Sequence, residues 1–183
     1  MKTANLKDLH HFVQNKGGNI MAIVIGYQGV GKSTMCRKHN GCIDLESSSF
    51  WFKDESNNPK RWENWADIYG NIAEHLSSQG NIVCIASHFV VRERLKNTNE
   101  KVIVVVPGLD IKDRWVKRLY YRYLDTAAEK DYKAWMNAGE RYQQDIKAMM
   151  DDAEKYGWKL VIIKLKDLDE DLFNRVCYAM GED

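Results

Sequence analysis

Residues 20–34 read Ile-Met-Ala-Ile-Val-Ile-Gly-Tyr-Gln-Gly-Val-Gly-Lys-Ser-Thr. An apolar run from Ile20 to Ile25 stops at Gly26, and after four intervening residues come Gly31, Lys32 and Ser33, so the stretch spells G-x-x-x-x-G-K-S without a departure. Each part has a task in holding a polyphosphate. Gly26, Gly29 and Gly31 let the backbone curl closely around an anion. The amides of the loop, from Gly26 through Tyr27, Gln28, Gly29, Val30 and Gly31 to Ser33 and Thr34, face inward where the next helix begins. Lys32 adds a mobile point charge for the β- and γ-phosphates, and Ser33 a hydroxyl for Mg²⁺, which prefers oxygen ligands. The pattern implies a bound nucleoside triphosphate. It does not specify a reaction.

The rest of the composition narrows the class. The 183 residues suit one domain with a substantial core. Basic and acidic residues nearly cancel, 27 against 26, so no global field draws the chain to nucleic acid or to a membrane. No apolar run reaches the roughly 18 residues a span needs, and Met1-Lys2-Thr3-Ala4-Asn5 opens no signal-peptide core; a soluble cytoplasmic protein is expected. Cys36, Cys42, Cys84 and Cys177 show no metal-ligand spacing and read as buried or idle thiols of a reducing compartment.

Around the opening stretch, strand and helix patterns alternate. Residues 4–16 carry Leu6, Leu9, Phe12 and Val13 at helical spacing, an N-terminal helical extension over 1–18. Strands are expected at 20–25, 42–45, 82–86, 102–106 and 158–165. Helices are expected at about 32–39, from Asn58-Pro59 to Gly80, and at 90–96, 110–124, 129–156 and 168–180. The helix from Asn58-Pro59 should bury a face of Trp62, Trp65, Ile68, Tyr69, Ile72 and Leu76. Residues 46–58 have no period and read as a long loop. Strands that are apolar throughout read as parallel and covered on both faces, giving an α/β three-layer fold.

Two features choose among phosphate-loop classes. No strand ends in an apolar run plus Asp-Glu, and no Asn-Lys-x-Asp guanine signature occurs. After the fourth strand, Arg114, Arg118 and Arg122 recur every four residues, stacking guanidiniums along one helix. Forked cations suit the charge that develops on a transferring phosphoryl group.

The chain resembles the nucleoside-monophosphate-kinase branch of phosphate-loop proteins over residues 19–180, and is particularly similar to small adenylate-kinase-like proteins often found in bacteriophages. The matching stretches are Ile25–Thr34, Ile43-Asp44-Leu45-Glu46-Ser47-Ser48-Ser49-Phe50, Ser87-His88-Phe89-Val90-Val91-Arg92, and Val106-Pro107-Gly108 with the Arg-bearing helix. The resemblance implies a five-stranded sheet in order 2-3-1-4-5 and an acceptor site under the helix after strand 2. It further implies a closing lid over about 108–128, and ATP with Mg²⁺ as donor. The family's Asp-Gly-x-Pro-Arg after strand 3 is absent; Ser87 to Arg92 stand there instead.

The remaining candidates keep their alternatives. Asp44, at the end of its strand, can hold Mg²⁺ through water, accept a proton from a hydroxyl, or cap a turn. Glu46 is a further acceptor-side candidate, and Ser47 to Ser49 can meet a phosphate or shape a turn. Arg92 can bind an acceptor phosphate or form a surface salt bridge; His88 can contact substrate or hydrogen-bond at a strand end. Phe50, Trp51 and Phe52 can stack a base or pack the loop. The expected activity is ATP-dependent phosphoryl transfer to a small acceptor, foremost a (deoxy)nucleoside monophosphate. Rivals are a kinase of a hydroxyl acceptor with Asp44 as base, and a nucleotide-binding regulatory module without turnover.

Overall fold

The computed structural model describes residues 21–53 and 59–181, so the expected helix at 4–16 lies outside the described residues. Its main sheet has five strands: β1 (Ala22–Gly26), β2 (Cys42–Asp44), β5 (Ile82–Ala86), β6 (Val102–Pro107) and β7 (Lys159–Ile163). Two short strands, β3 (Trp51–Lys53) and β4 (Pro59–Arg61), pair antiparallel on their own. The helices are α1 (Lys32–Lys38), α2 (Trp65–Ser78), α3 (Phe89–Leu95), α4 (Lys112–Thr126), α5 (Glu129–Lys155) and α6 (Leu172–Gly181).

All pairings in the main sheet are parallel, in the order β2-β5-β1-β6-β7. Counted among these five strands alone, that is 2-3-1-4-5. The central strands β1 and β6 are buried at every position, as expected of apolar runs covered on both faces. Right-handed crossovers then distribute the helices. From β1 the chain moves to one edge through α1, and afterwards returns towards the other through α2, α3 and the α4–α5 pair. α1 meets α6, while α2 packs on β5 and β1 and α5 on β6 and β7. The reversal of direction beside β1 opens a crevice at the carboxyl ends of the strands, where α/β sheets bind ligands. Among the described residues no helix is long and apolar enough to cross a membrane.

The segment after β2 departs from the expected long loop. Ser47–Phe50 form a 3₁₀ turn that leads into the β3–β4 hairpin, with Trp51 opposite Arg61. Pro59 lies in β4 instead of opening a helix, and α2 starts only at Trp65. Its buried face is correspondingly rotated: Tyr69 and Ala73 are buried, while Trp62 is 53% exposed and Ile68 37%. Phe50 packs edge-on against Tyr69 at 5.3 Å, which places it in the core and not on a ligand.

Candidate phosphate-loop site

β1 ends at Gly26 and the chain turns through 27–31 into α1. Gly29 and Gly31 have φ of +86° and +104°, values that side chains rarely adopt, so only glycine closes this turn without strain. A Cβ at Gly26 would stand 2.7 Å from Val30 Cγ2, so this glycine is fixed by crowding. The Tyr27 amide donates to Val105 and the Val30 amide to the Tyr27 carbonyl, so both serve the loop's own shape. The first-turn amides of α1, those of Lys32, Ser33 and Thr34, have no acceptor within the helix. They are among the groups left to meet an anion.

Two side chains and one backbone carbonyl brace the loop from α4 and α5. Trp115 donates its indole N–H to the Gln28 carbonyl at 3.0 Å, and Gln28 Nε2 donates to the Ala134 carbonyl at 2.7 Å. Tyr27 is buried edge-on against Tyr142, whose hydroxyl donates to the Gly108 carbonyl. Burial pushes the Tyr27 phenol up to about 12. The Tyr27 and Gln28 side chains therefore position the loop and leave any ligand contact to the backbone.

Lys32 folds over the loop, with Nζ 2.6 Å from the Gly26 carbonyl oxygen. Burial lowers its pKa, Asp44 and Glu46 oppose that shift, and the nearby positive charge of Arg122 adds to it. Lys32, Asp44, Glu46 and Arg122 thus share one electrostatic neighbourhood at the mouth of the crevice. Asp44 makes no hydrogen bond or ion pair among the described residues, so the capping role is not seen. Glu46 pairs with Lys130 on α5 at 3.8 Å, both side chains well exposed. Ser33 and Thr34 face solvent at the start of α1.

The three arginines of α4 do not act as one row. Arg118 donates to the Leu168 carbonyl at 2.9 Å and lines a cleft of about 270 Å³ with Gly31, Thr34, Trp115 and the 167–172 segment. Arg122 pairs with Asp131 at 2.7 Å. Arg114 is exposed and does not line that cleft. A four-residue step overshoots a helical turn by about 40°, so the stripe rotates off the loop within two steps.

On the opposite wall, sequence reasoning missed Arg61 and read Trp65 only as part of a buried helix face. The Arg61 guanidinium lies over the Trp65 ring at 3.7 Å, and its Nη2 is 3.1 Å from His88 Nε2, which Ser47 Oγ also meets at 3.1 Å. Burial, then Arg61, Arg92 and Lys32, lower His88 to about 4, so the imidazole is neutral and accepts at Nε2. Arg92 is buried, with Nε 2.6 Å from Asp152 Oδ2 and Nη1 donating to the Ser87 carbonyl. Arg92 does form a salt bridge, but a buried one and not the surface pair expected, and as placed here it is not an open acceptor-phosphate ligand.

These elements define an α/β protein with a five-stranded parallel sheet, consistent with the phosphate-loop fold, and with its glycine loop at the switch point of the sheet. No protein-family model matches the chain, and no curated protein matches it. Among solved structures, the tunicamycin resistance protein of Deinococcus radiodurans is similar at 14% identity and a TM-score of 0.35, over 76% of this chain and 97% of that one.

Proposed function

We propose that this chain transfers the γ-phosphoryl group of ATP to a small acceptor. The observation that carries the reading is the juxtaposition of Lys32, on a loop braced for a polyphosphate, with the Asp44 carboxylate, unpaired among the described residues. The base of the nucleotide fits the cleft between Arg118, Thr34 and Leu168, beside Gly31. The Ser33 hydroxyl suits Mg²⁺, which is commonly held by one or two protein oxygens together with substrate phosphates and water. Mg²⁺ held there would supply charge neutralisation for the phosphates. Lys32 swings from the Gly26 carbonyl to the β- and γ-phosphate oxygens, and Arg122, already in the neighbourhood of Lys32, turns to the equatorial charge.

For the acceptor, the described residues favour a hydroxyl. Arg92 is committed to Asp152, His88 is neutral, and Asp44 and Glu46 put two carboxylates on that side. A monophosphate dianion would face the Asp44 carboxylate, which has no ion-pair partner among the described residues. The hydroxyl oxygen then forms the new bond to phosphorus, the bond to the β–γ bridging oxygen breaks with release of ADP, and the hydroxyl proton passes to Asp44. A second reading, a (deoxy)nucleoside monophosphate acceptor, is favoured by the Arg61 guanidinium on the acceptor wall; Asp44 would then reach Mg²⁺ through water.

The test is ADP formation from ATP·Mg²⁺ with nucleosides and nucleoside monophosphates, each beside Lys32→Ala. Stimulation by a hydroxyl compound that Lys32→Ala abolishes is expected. Stimulation only by monophosphates selects the second reading, and ATP binding without stimulation by any acceptor favours a regulatory module.

A further inference from the structure

The face of α4 and α5 turned away from the loop carries an aromatic surface that phosphoryl transfer does not use. Tyr120 and Trp135 rings lie 4.9 Å apart, Tyr120 and Tyr121 6.0 Å, and Tyr123 and Trp135 6.1 Å at a near-parallel 9°. Tyr132 closes the cluster against Tyr123 and Trp135 at 5.4 and 5.9 Å. Tyr121 is 52% exposed, Tyr132 42% and Tyr120 37%. Beside the rings runs a groove of about 470 Å³ floored by Val116, Tyr120, Trp135 and Gly139. Lys112 and Lys117 edge it, with Asp113 the single carboxylate of its lining. The Lys117 ammonium stands 5.6 Å from the Tyr121 ring. Among the described residues neither lysine has an ion-pair partner.

We propose that this surface binds single-stranded nucleic acid, with bases stacked on the exposed rings and phosphates against Lys112 and Lys117. The charge decides the occupant. A second copy of the chain or another protein laid over this groove would desolvate two ammonium groups with one carboxylate to share, and interface cores are depleted in lysine for that reason. A phosphodiester backbone brings the missing negative charge and carries flat bases that stack on tyrosine and tryptophan. A duplex hides the faces of its bases, so the single strand is the form that fits. The local +1 of the groove supplies what the nearly neutral whole does not.

Fluorescence anisotropy of a labelled oligothymidine of about 12 nucleotides, titrated with the full chain, tests this. Binding should weaken about sevenfold from about 50 to 200 mM salt, as two phosphate contacts to a single strand require. Tyr121→Ala and Lys117→Ala, both on the exposed face, should each weaken it at least about fivefold. Neither should alter ATP binding, whereas Lys32→Ala should leave oligonucleotide binding intact. The last control separates this surface from the phosphate loop, so either can fail alone. The proposal is overturned by no anisotropy change at about 50 mM salt, by equal binding of duplex, or by binding that Lys32→Ala removes. It is equally overturned if both surface variants bind as the parent does, or if sedimentation shows a dimer that Tyr121→Ala dissolves.

Discussion

Arg92 Nε lies 2.6 Å from Asp152 Oδ2, in a buried contact that ties α3 to α5 across one face of the sheet. A buried pair gains little over apolar residues of the same shape, because both charges lose their water. Removing one partner is different, since the other charge is left without compensation. Asp152→Ala should therefore cost about 3–5 kcal/mol in urea unfolding. An Asp152→Ala protein as stable as the parent would mean that Arg92 has another partner and is again open to a ligand.

Trp115 holds the phosphate loop from outside, through its indole N–H and the Gln28 carbonyl. Trp115→Phe keeps an aromatic ring in place while removing that donor. Loss of one hydrogen bond predicts a stability decrease of about 1 kcal/mol. If the loop is pre-shaped for ATP by this contact, affinity should fall about fivefold as well, since that energy corresponds to such a factor. Isothermal titration with a non-hydrolysable ATP analogue measures the affinity and chemical denaturation the stability. A drop in stability with unchanged affinity would reduce Trp115 to packing.

His88 makes stability depend on pH in a definite direction. Its pKa is lowered from 6.5 to about 4 by burial and by the cations around it. Above pH 6.5 the imidazole is neutral folded or unfolded, and its contribution is fully present. Between 6.5 and about 4 the unfolded chain takes up a proton that the folded one refuses, so stability is lost as pH falls through that window. From pH 7 to pH 5 the loss is about 2 kcal/mol. Urea midpoints at the two pH values should differ less in His88→Gln than in the parent by roughly that amount.

The parts of this molecule that were legible in its sequence are those set by local pattern. The apolar run at 20–25 and the glycine spacing behind it specify a buried strand and a phosphate loop, and the remaining apolar runs specify the parallel sheet. What stayed hidden depends on contacts between distant residues. Nothing in the period or composition of residues 46–58 announces a hairpin with Trp51 opposite Arg61, and only that hairpin brings Arg61 to His88. The partner of Arg92 is sixty residues away on another helix, so its charge looked available when it is spent. The arginine spacing on α4 suggested one row, but the drift of the helix separates Arg114 from the other two.

Asp44 is the residue on which the acceptor class turns. It ends β2, lies close enough to Lys32 to oppose the lowering of its pKa by burial, and its carboxylate has no hydrogen bond or ion pair among the described residues. A base for a hydroxyl acceptor must remove a proton as phosphorus is attacked, and a positioned base contributes about 10²- to 10⁴-fold. Asp44→Asn keeps the shape and abolishes that capacity. With a hydroxyl acceptor kcat should fall by about that factor while ATP affinity changes little, and added Mg²⁺ should not restore it. If Asp44 instead serves Mg²⁺ through water, the loss should be modest and largely restored by raising the Mg²⁺ concentration. Measuring kcat against Mg²⁺ therefore distinguishes a proton acceptor from a metal-positioning carboxylate at the same position.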